Sequence, residues 1–133
     1  MTRLLLITHD ALLATAYRAR LTNAGFDVEY FTNGSEGLAK ARQWTPDLLL
    51  LDLVLPGMSG LEVLKCLRDV PWLAKVRVVL LIERTLQREI LDECLLWGAD
   101  SYVMKDCCSV TEAVAHLKTV LAAPTLVSRE GTG

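Results

Sequence analysis

The stretch Leu48-Leu49-Leu50-Leu51-Asp52-Leu53-Val54-Leu55-Pro56-Gly57-Met58-Ser59-Gly60 decides the fold. Four consecutive leucines predict a strand buried on both faces, as in a parallel sheet, because a half-exposed strand would alternate apolar with polar residues. The run ends in a carboxylate, Asp52, and Pro56-Gly57 and Ser59-Gly60 mark a turn after it. Asp52 is therefore expected at the carboxyl end of a buried strand, where open α/β sheets bind their ligands. A carboxylate there can ligate a metal or act as a nucleophile toward phosphorus. Taken alone, it reads more plainly as a helix cap or a solvated loop aspartate.

The segments on either side change that reading. Arg3 to Ile7 predicts a first buried strand, with Thr8-His9-Asp10 at its carboxyl end. Leu12 to Ala24 has the helical spacing, with Leu13, Ala16, Tyr17, Leu21 and Ala24 on the inner face and Gly25 as its stop. Asp27 to Tyr30 is a short strand, and Asn33-Gly34-Ser35 opens a helix that runs to about Trp44. Beyond the central stretch, Leu61 to Leu67 predicts a third helix ending near Asp69. Val76 to Ile82 is a second continuous apolar strand. Leu86 to Trp97 predicts a fourth helix, stopped at Gly98, and Ser101 to Met104 a fifth strand closed by Lys105-Asp106. Ser109-Val110-Thr111-Glu112 is a capping box for a last helix to about Ala122. Five strands alternating with five helices predict one parallel sheet with helices on both faces, joined by right-handed crossovers. The polar residues just past the strand ends are Thr8, His9, Asp10, Asp52, Glu83 and Lys105, and all are expected at one rim.

Composition sets the outer bounds. The chain of 133 residues fits one domain, and 52% hydrophobic residues suffice for a substantial core. A net charge of −2 gives no electrostatic footprint for nucleic acid, so no direct nucleic-acid contact by this segment is expected. Asp and Pro interrupt every apolar run before membrane-spanning length, and Met1 to Ile7 is too short for a signal sequence. Cys66, Cys94, Cys107 and Cys108 form no C-x-x-C pair, which suggests reduced thiols in a cytoplasmic protein. The vicinal Cys107-Cys108 reads as small loop residues rather than a redox or soft-metal site.

With these pieces in place, the chain resembles the receiver domain of bacterial response regulators from Arg3 to about Leu121. The resemblance is carried by Pro46 to Asp52 with Leu55 to Leu64, by Gly98-Ala99-Asp100-Ser101-Tyr102-Val103-Met104-Lys105, and more weakly by Asn33 to Leu38. It implies a flavodoxin-like fold with strand order 2-1-3-4-5, a receiver domain over 1–123, and a tail or the start of a linker to an output domain at 124–133. It implies that a histidine kinase passes a phosphoryl group to Asp52 and that Lys105 holds the phosphoryl oxygens. Tyr102 matches the aromatic switch residue, and Gly57 and Met58 match the loop that shapes the pocket. In this family a magnesium ion is held by an acidic pair after the first strand, the acceptor aspartate and a backbone carbonyl, here that of Val54.

Several positions depart from the pattern. The acidic pair falls at Thr8 and His9, neither a carboxylate, and Asp10 is the nearest acid. The switch hydroxyl after the fourth strand falls at Ile82, with Glu83 adding negative charge beside it; a shift by one would place Glu83 or Leu81 there instead. Magnesium is thus possible but doubtful. A phosphorylation-independent module, acting through dimerisation or protein contacts, stands as the alternative to a phospho-switch. One further expectation is that Lys105 or His9 pairs with Asp52 as a fixed cation in place of the metal.

Lys105-Asp106 and the exit through Val120 to Ser128 resemble the branch with a LuxR-type helix-turn-helix output, which implies transcription regulation. Leu96 and Trp97 beside the core stripe suggest a partner or homodimer surface on the fourth helix, fifth strand and fifth helix. Neither a flavin binder nor an aspartate-nucleophile hydrolase fits. The loop Thr8-His9-Asp10-Ala11 lacks glycine, and Val54 stands where a hydrolase needs a second acid. No enzymatic role is expected.

Overall fold

The computed structural model describes residues 1–106 and 108–123. Cys107 and the tail or linker expected at 124–133 lie outside the described residues. Five strands, β1 (Arg3–Ile7), β2 (Asp27–Phe31), β3 (Leu48–Asp52), β4 (Arg77–Ile82) and β5 (Ser101–Met104), form one sheet in the order β2-β1-β3-β4-β5. Every pairing is parallel. The five helices are α1 (Ala11–Asn23), α2 (Gly34–Trp44), α3 (Gly60–Asp69), α4 (Arg88–Leu96) and α5 (Val110–Ala122).

Alternation along the strands divides the core in two. Leu5, Ile7, Leu49, Leu51, Val78 and Leu80 meet α2, α3 and α4 on one face. Leu4, Leu6, Leu48, Leu50, Val79 and Leu81 meet α1 and α5 on the other. All five residues of β3 are buried, so each leucine there contributes roughly 2 kcal/mol of apolar burial. This is why a run with no polar face is stable only as the central strand of a two-sided sheet.

Helix starts follow the caps. Asn33 accepts from the Glu36 amide, and Ser59 and Ser109 form reciprocal capping boxes with Glu62 and Glu112. Some boundaries differ from the expected ones. Helix α4 starts at Arg88 rather than Leu86, which lies in the preceding turn; Leu91 and Cys94 are its buried residues, and Leu95 is 40% exposed. In α1 it is Ala14, not Ala16, that is buried beside Tyr17 and Leu21. Trp72 lies in the connection between α3 and β4. It stands 60% exposed in a single 3-10 turn, its indole N–H donating to the Arg42 carbonyl, while Leu73 fills the core.

Parallel crossovers bring helix C-termini to the amino rim of the sheet, and three arginines meet three of them. Arg3 donates to the Trp44 carbonyl at the end of α2 (2.6 Å). Arg77 donates to the Val120 and Ala123 carbonyls at the end of α5 (both 2.7 Å). Arg68 donates to the Trp97 and Gly98 carbonyls past α4 (3.1 and 2.8 Å) and to the carbonyls of Ala74 and Val76 before β4 (3.1 and 3.0 Å). Guanidinium groups suit these ends, where unpaired carbonyls and the helix dipole both favour a cation.

Candidate functional site at the carboxyl rim

Position along the strands decides what meets at the opposite rim. Ile7 lies beside Leu51, so Thr8 falls next to Asp52, and both are fully buried. Met104 lies beside Ile82, and Lys105 follows it off the end of β5. The Lys105 ammonium reaches across the end of β4 to Asp52 Oδ2 at 2.7 Å, with its side chain 13% exposed. The Thr8 hydroxyl donates to the same oxygen at 2.8 Å. Asp52 Oδ1 accepts one hydrogen bond, from the Val54 amide at 3.0 Å, closing a tight turn of the kind aspartate makes two residues ahead. A fully buried carboxylate is tolerable only when paired and hydrogen-bonded, and this one is both.

Of the six rim residues expected together, Thr8 and Lys105 are hydrogen-bonded to Asp52, Glu83 lines the adjoining cavity, and the side chains of His9 and Asp10 join neither. Asp10 serves as the N-cap of α1, its Oδ1 accepting from the Leu13 amide at 3.1 Å. His9 and Glu83 are exposed. The fixed-cation expectation is therefore met in geometry by Lys105 and not by His9. Ile82 is not aimed at the acceptor. Its neighbour Leu81 is opposite Asp52 in the sheet, so Ile82 leaves by the other face and is buried in the core with Leu53, Leu80 and Leu91. By alternation Glu83 is the next residue on the Asp52 side. Tyr102 is 41% exposed on β5.

The loop after β3 completes the site. Val54 is exposed and donates its amide to Asp52 Oδ1. Gly57 takes φ +76°, a left-handed turn that glycine adopts freely, and Met58 packs against the core edge. Gly60 is a site residue that sequence reading treated only as a turn marker. A Cβ there would stand 2.4 Å from the Asp52 carbonyl oxygen and 2.6 Å from the Leu53 Cα, so only glycine lets α3 start this close to the acceptor. A cavity of about 250 Å³ opens beside the site, lined by Asp52, Val54, Ile82, Glu83, Leu86 and Lys105.

The groups facing Asp52 are an ammonium, a hydroxyl proton and an amide N–H. Magnesium needs oxygen acceptors in near-octahedral geometry. Among the described residues no three His, Cys, Asp or Glu side chains stand together in a metal-holding group. The donor set does not fit the family's magnesium. Asp10, proposed from sequence as a weak ligand, is engaged as a cap.

A model of the response regulator receiver domain matches residues 4–118. The DNA-binding response regulator MtrA of Mycobacterium tuberculosis H37Rv is 38% identical over 103 residues, which cover 77% of this chain and 43% of MtrA. The phosphate regulon transcriptional regulatory protein PhoB of Rhizobium meliloti is 32% identical over 119 residues, covering 90% of this chain and 52% of PhoB. The chain thus spans about half the length of these relatives or less. Among solved structures, the chemotaxis response regulator CheY4 of Vibrio cholerae superposes with a TM-score of 0.83 at 25% identity, over 90% of this chain and 98% of CheY4.

Proposed function

Because the chain belongs to the response regulator receiver domains of two-component signalling, we propose that Asp52 is its phospho-acceptor and a histidine kinase its donor. The observation that carries this reading is the Lys105 ammonium 2.7 Å from Asp52 Oδ2, at the carboxyl rim of the central strand. Oδ2 takes two donors and Oδ1 only one, so Oδ1 keeps the lone pair for attack. Oδ1 forms a bond to phosphorus while the bond from phosphorus to the donor's imidazole nitrogen breaks, and the electron pair leaves with the imidazole. Lys105 offsets the charge that the phosphoryl oxygens bring, and the Val54 amide and the Thr8 hydroxyl hold the carboxylate in place. This pair favours phosphoryl acceptance over the phosphorylation-independent alternative.

The domain relays the event to a partner or to an output domain beyond its C-terminal helix. The relatives' DNA-binding and transcriptional roles support transcription regulation as the output. The LuxR-type class of that output rests on the sequence resemblance of Lys105-Asp106 and of the exit through Val120 to Ser128. Exposed Leu96, Trp97 and Tyr102 offer α4, β5 and α5 as the contact or homodimer face. Among the described residues no helix is long and apolar enough to cross a membrane. The sequence's cysteine pattern supports a cytoplasmic setting.

The test is incubation with phosphoramidate followed by intact-mass measurement. The wild type gains one phosphoryl group and Asp52→Asn gains none. An unchanged wild-type mass, or an equal gain in the variant, overturns the assignment.

A further inference from the structure

The hydrogen bonds at Asp52 run in one direction. The Asp10 amide donates to the Thr8 hydroxyl oxygen (3.2 Å), and the Thr8 hydroxyl donates onward to Asp52 Oδ2 (2.8 Å). That chain fixes the hydroxyl proton toward the carboxylate, so Thr8 is a donor at this site. Lys105 and the Val54 amide are donors by chemistry. Of the other two acids at this rim, Asp10 is turned away to hold the first turn of α1, and Glu83, which lines the adjoining cavity, is exposed. A divalent cation entering here would meet ammonium and polarised hydrogens where it needs lone pairs. One buried negative charge already has one positive charge 2.7 Å away.

We infer that this receiver pocket operates without a resident divalent cation. The Thr8 hydroxyl and the Lys105 ammonium together provide the positive face that a metal would otherwise supply. Thr8 is a positioning residue in this arrangement: it orients Oδ2 and leaves Oδ1 as the reactive oxygen. The inference rests on the reading of Asp52 as the working carboxylate. It concerns metal binding in the unphosphorylated protein, so it can fail while phosphoryl acceptance stands, and the reverse.

The experiment is titration of magnesium chloride alone to tens of millimolar, with potassium chloride as the ionic-strength control and no phosphodonor. Nitrogen–proton correlation spectra follow the Val54 and Lys105 amides in the wild type, in His9→Asp and in Thr8→Asp/His9→Asp. The wild type is expected to show no saturable shift at either amide. The double variant replaces a donor with an acceptor and is expected to bind magnesium at least on the order of tenfold tighter than wild type. His9 is exposed, so His9→Asp keeps the fold and reports in the same direction if the double variant does not fold. Saturable wild-type binding that shifts Val54 and Lys105 overturns the inference. So does a folded variant set that gains no magnesium affinity, because Thr8 and His9 would then not be what keeps the metal out.

Discussion

The two rims of the sheet use cations in opposite ways. At the amino rim, Arg3, Arg68 and Arg77 spread their donors over backbone carbonyls at helix ends. At the carboxyl rim, one lysine faces one buried carboxylate. The amino-rim partners are partial charges beside solvent; Arg3 meets one of them, while Arg68 and Arg77 divide themselves among several. The carboxyl-rim partner is a full charge with no exposure. Chain direction explains the split. Parallel crossovers gather helix C-termini at one rim and strand C-termini, with the helix starts that follow, at the other. The first rim calls for fixed cations that serve the fold. The second is left for chemistry, because the loops there need not close every hydrogen bond.

The comparison can be broken by asking which loss costs more. Lys105→Met strips the ammonium from a fully buried carboxylate, and it should destabilise the domain by about 3 kcal/mol in urea unfolding. Adding Asp52→Asn to it should recover most of that loss, since the uncompensated charge goes with it; a double-mutant cycle without such coupling would refute the paired-charge account. Arg68→Ala should cost less, about 2 kcal/mol, because the carbonyls of Trp97, Gly98, Ala74 and Val76 can turn in part to water. No single second substitution can repair it, because its partners are backbone. If Arg68→Ala proved the more damaging of the two, the contrast between the rims would be reversed.

A smaller effect sharpens the contrast from within the core. Burial of Tyr17 between α1 and the sheet, with a lesser contribution from Cys108, pushes its phenol up to about 12 from 10.0. The folded state therefore favours the neutral phenol. Its contribution to stability is complete below the unfolded value near 10 and is lost as pH rises from there toward 12. Tyr17→Phe should remove roughly 1 kcal/mol of alkaline destabilisation by about pH 10.5. Matched unfolding curves at neutral and alkaline pH check this, and identical alkaline losses in both proteins would contradict it.

Much of the fold was legible because its signals are local. Leu48 to Leu51 announces a strand with two covered faces, and Ser59-Glu62 and Ser109-Glu112 announce helix starts within four residues. The register at strand ends was less legible. The family resemblance placed Ile82 at the switch position, but the side of the sheet it faces depends on its pairing with Met104 and on Leu81 lying opposite Asp52. A one-residue shift reverses every side chain on a strand, so spacing alone could not choose between Ile82 and Glu83. The three arginines at the amino rim gave no sequence signal at all, because their partners are carbonyls, and every residue has one.

By itself the sequence determined the order of strands and helices, the buried central strand, and the placing of Thr8, Asp52 and Lys105 at strand ends. These follow from periodicity and caps, which act over a few residues. Only the tertiary structure decided that Thr8 and Lys105 share one oxygen of Asp52, that Asp10 turns aside to cap a helix, and that His9 and Glu83 stand in solvent. Those contacts join residues 44 and 53 positions apart in the chain. Their geometry is set by how neighbouring strands line up, and no local pattern carries that information.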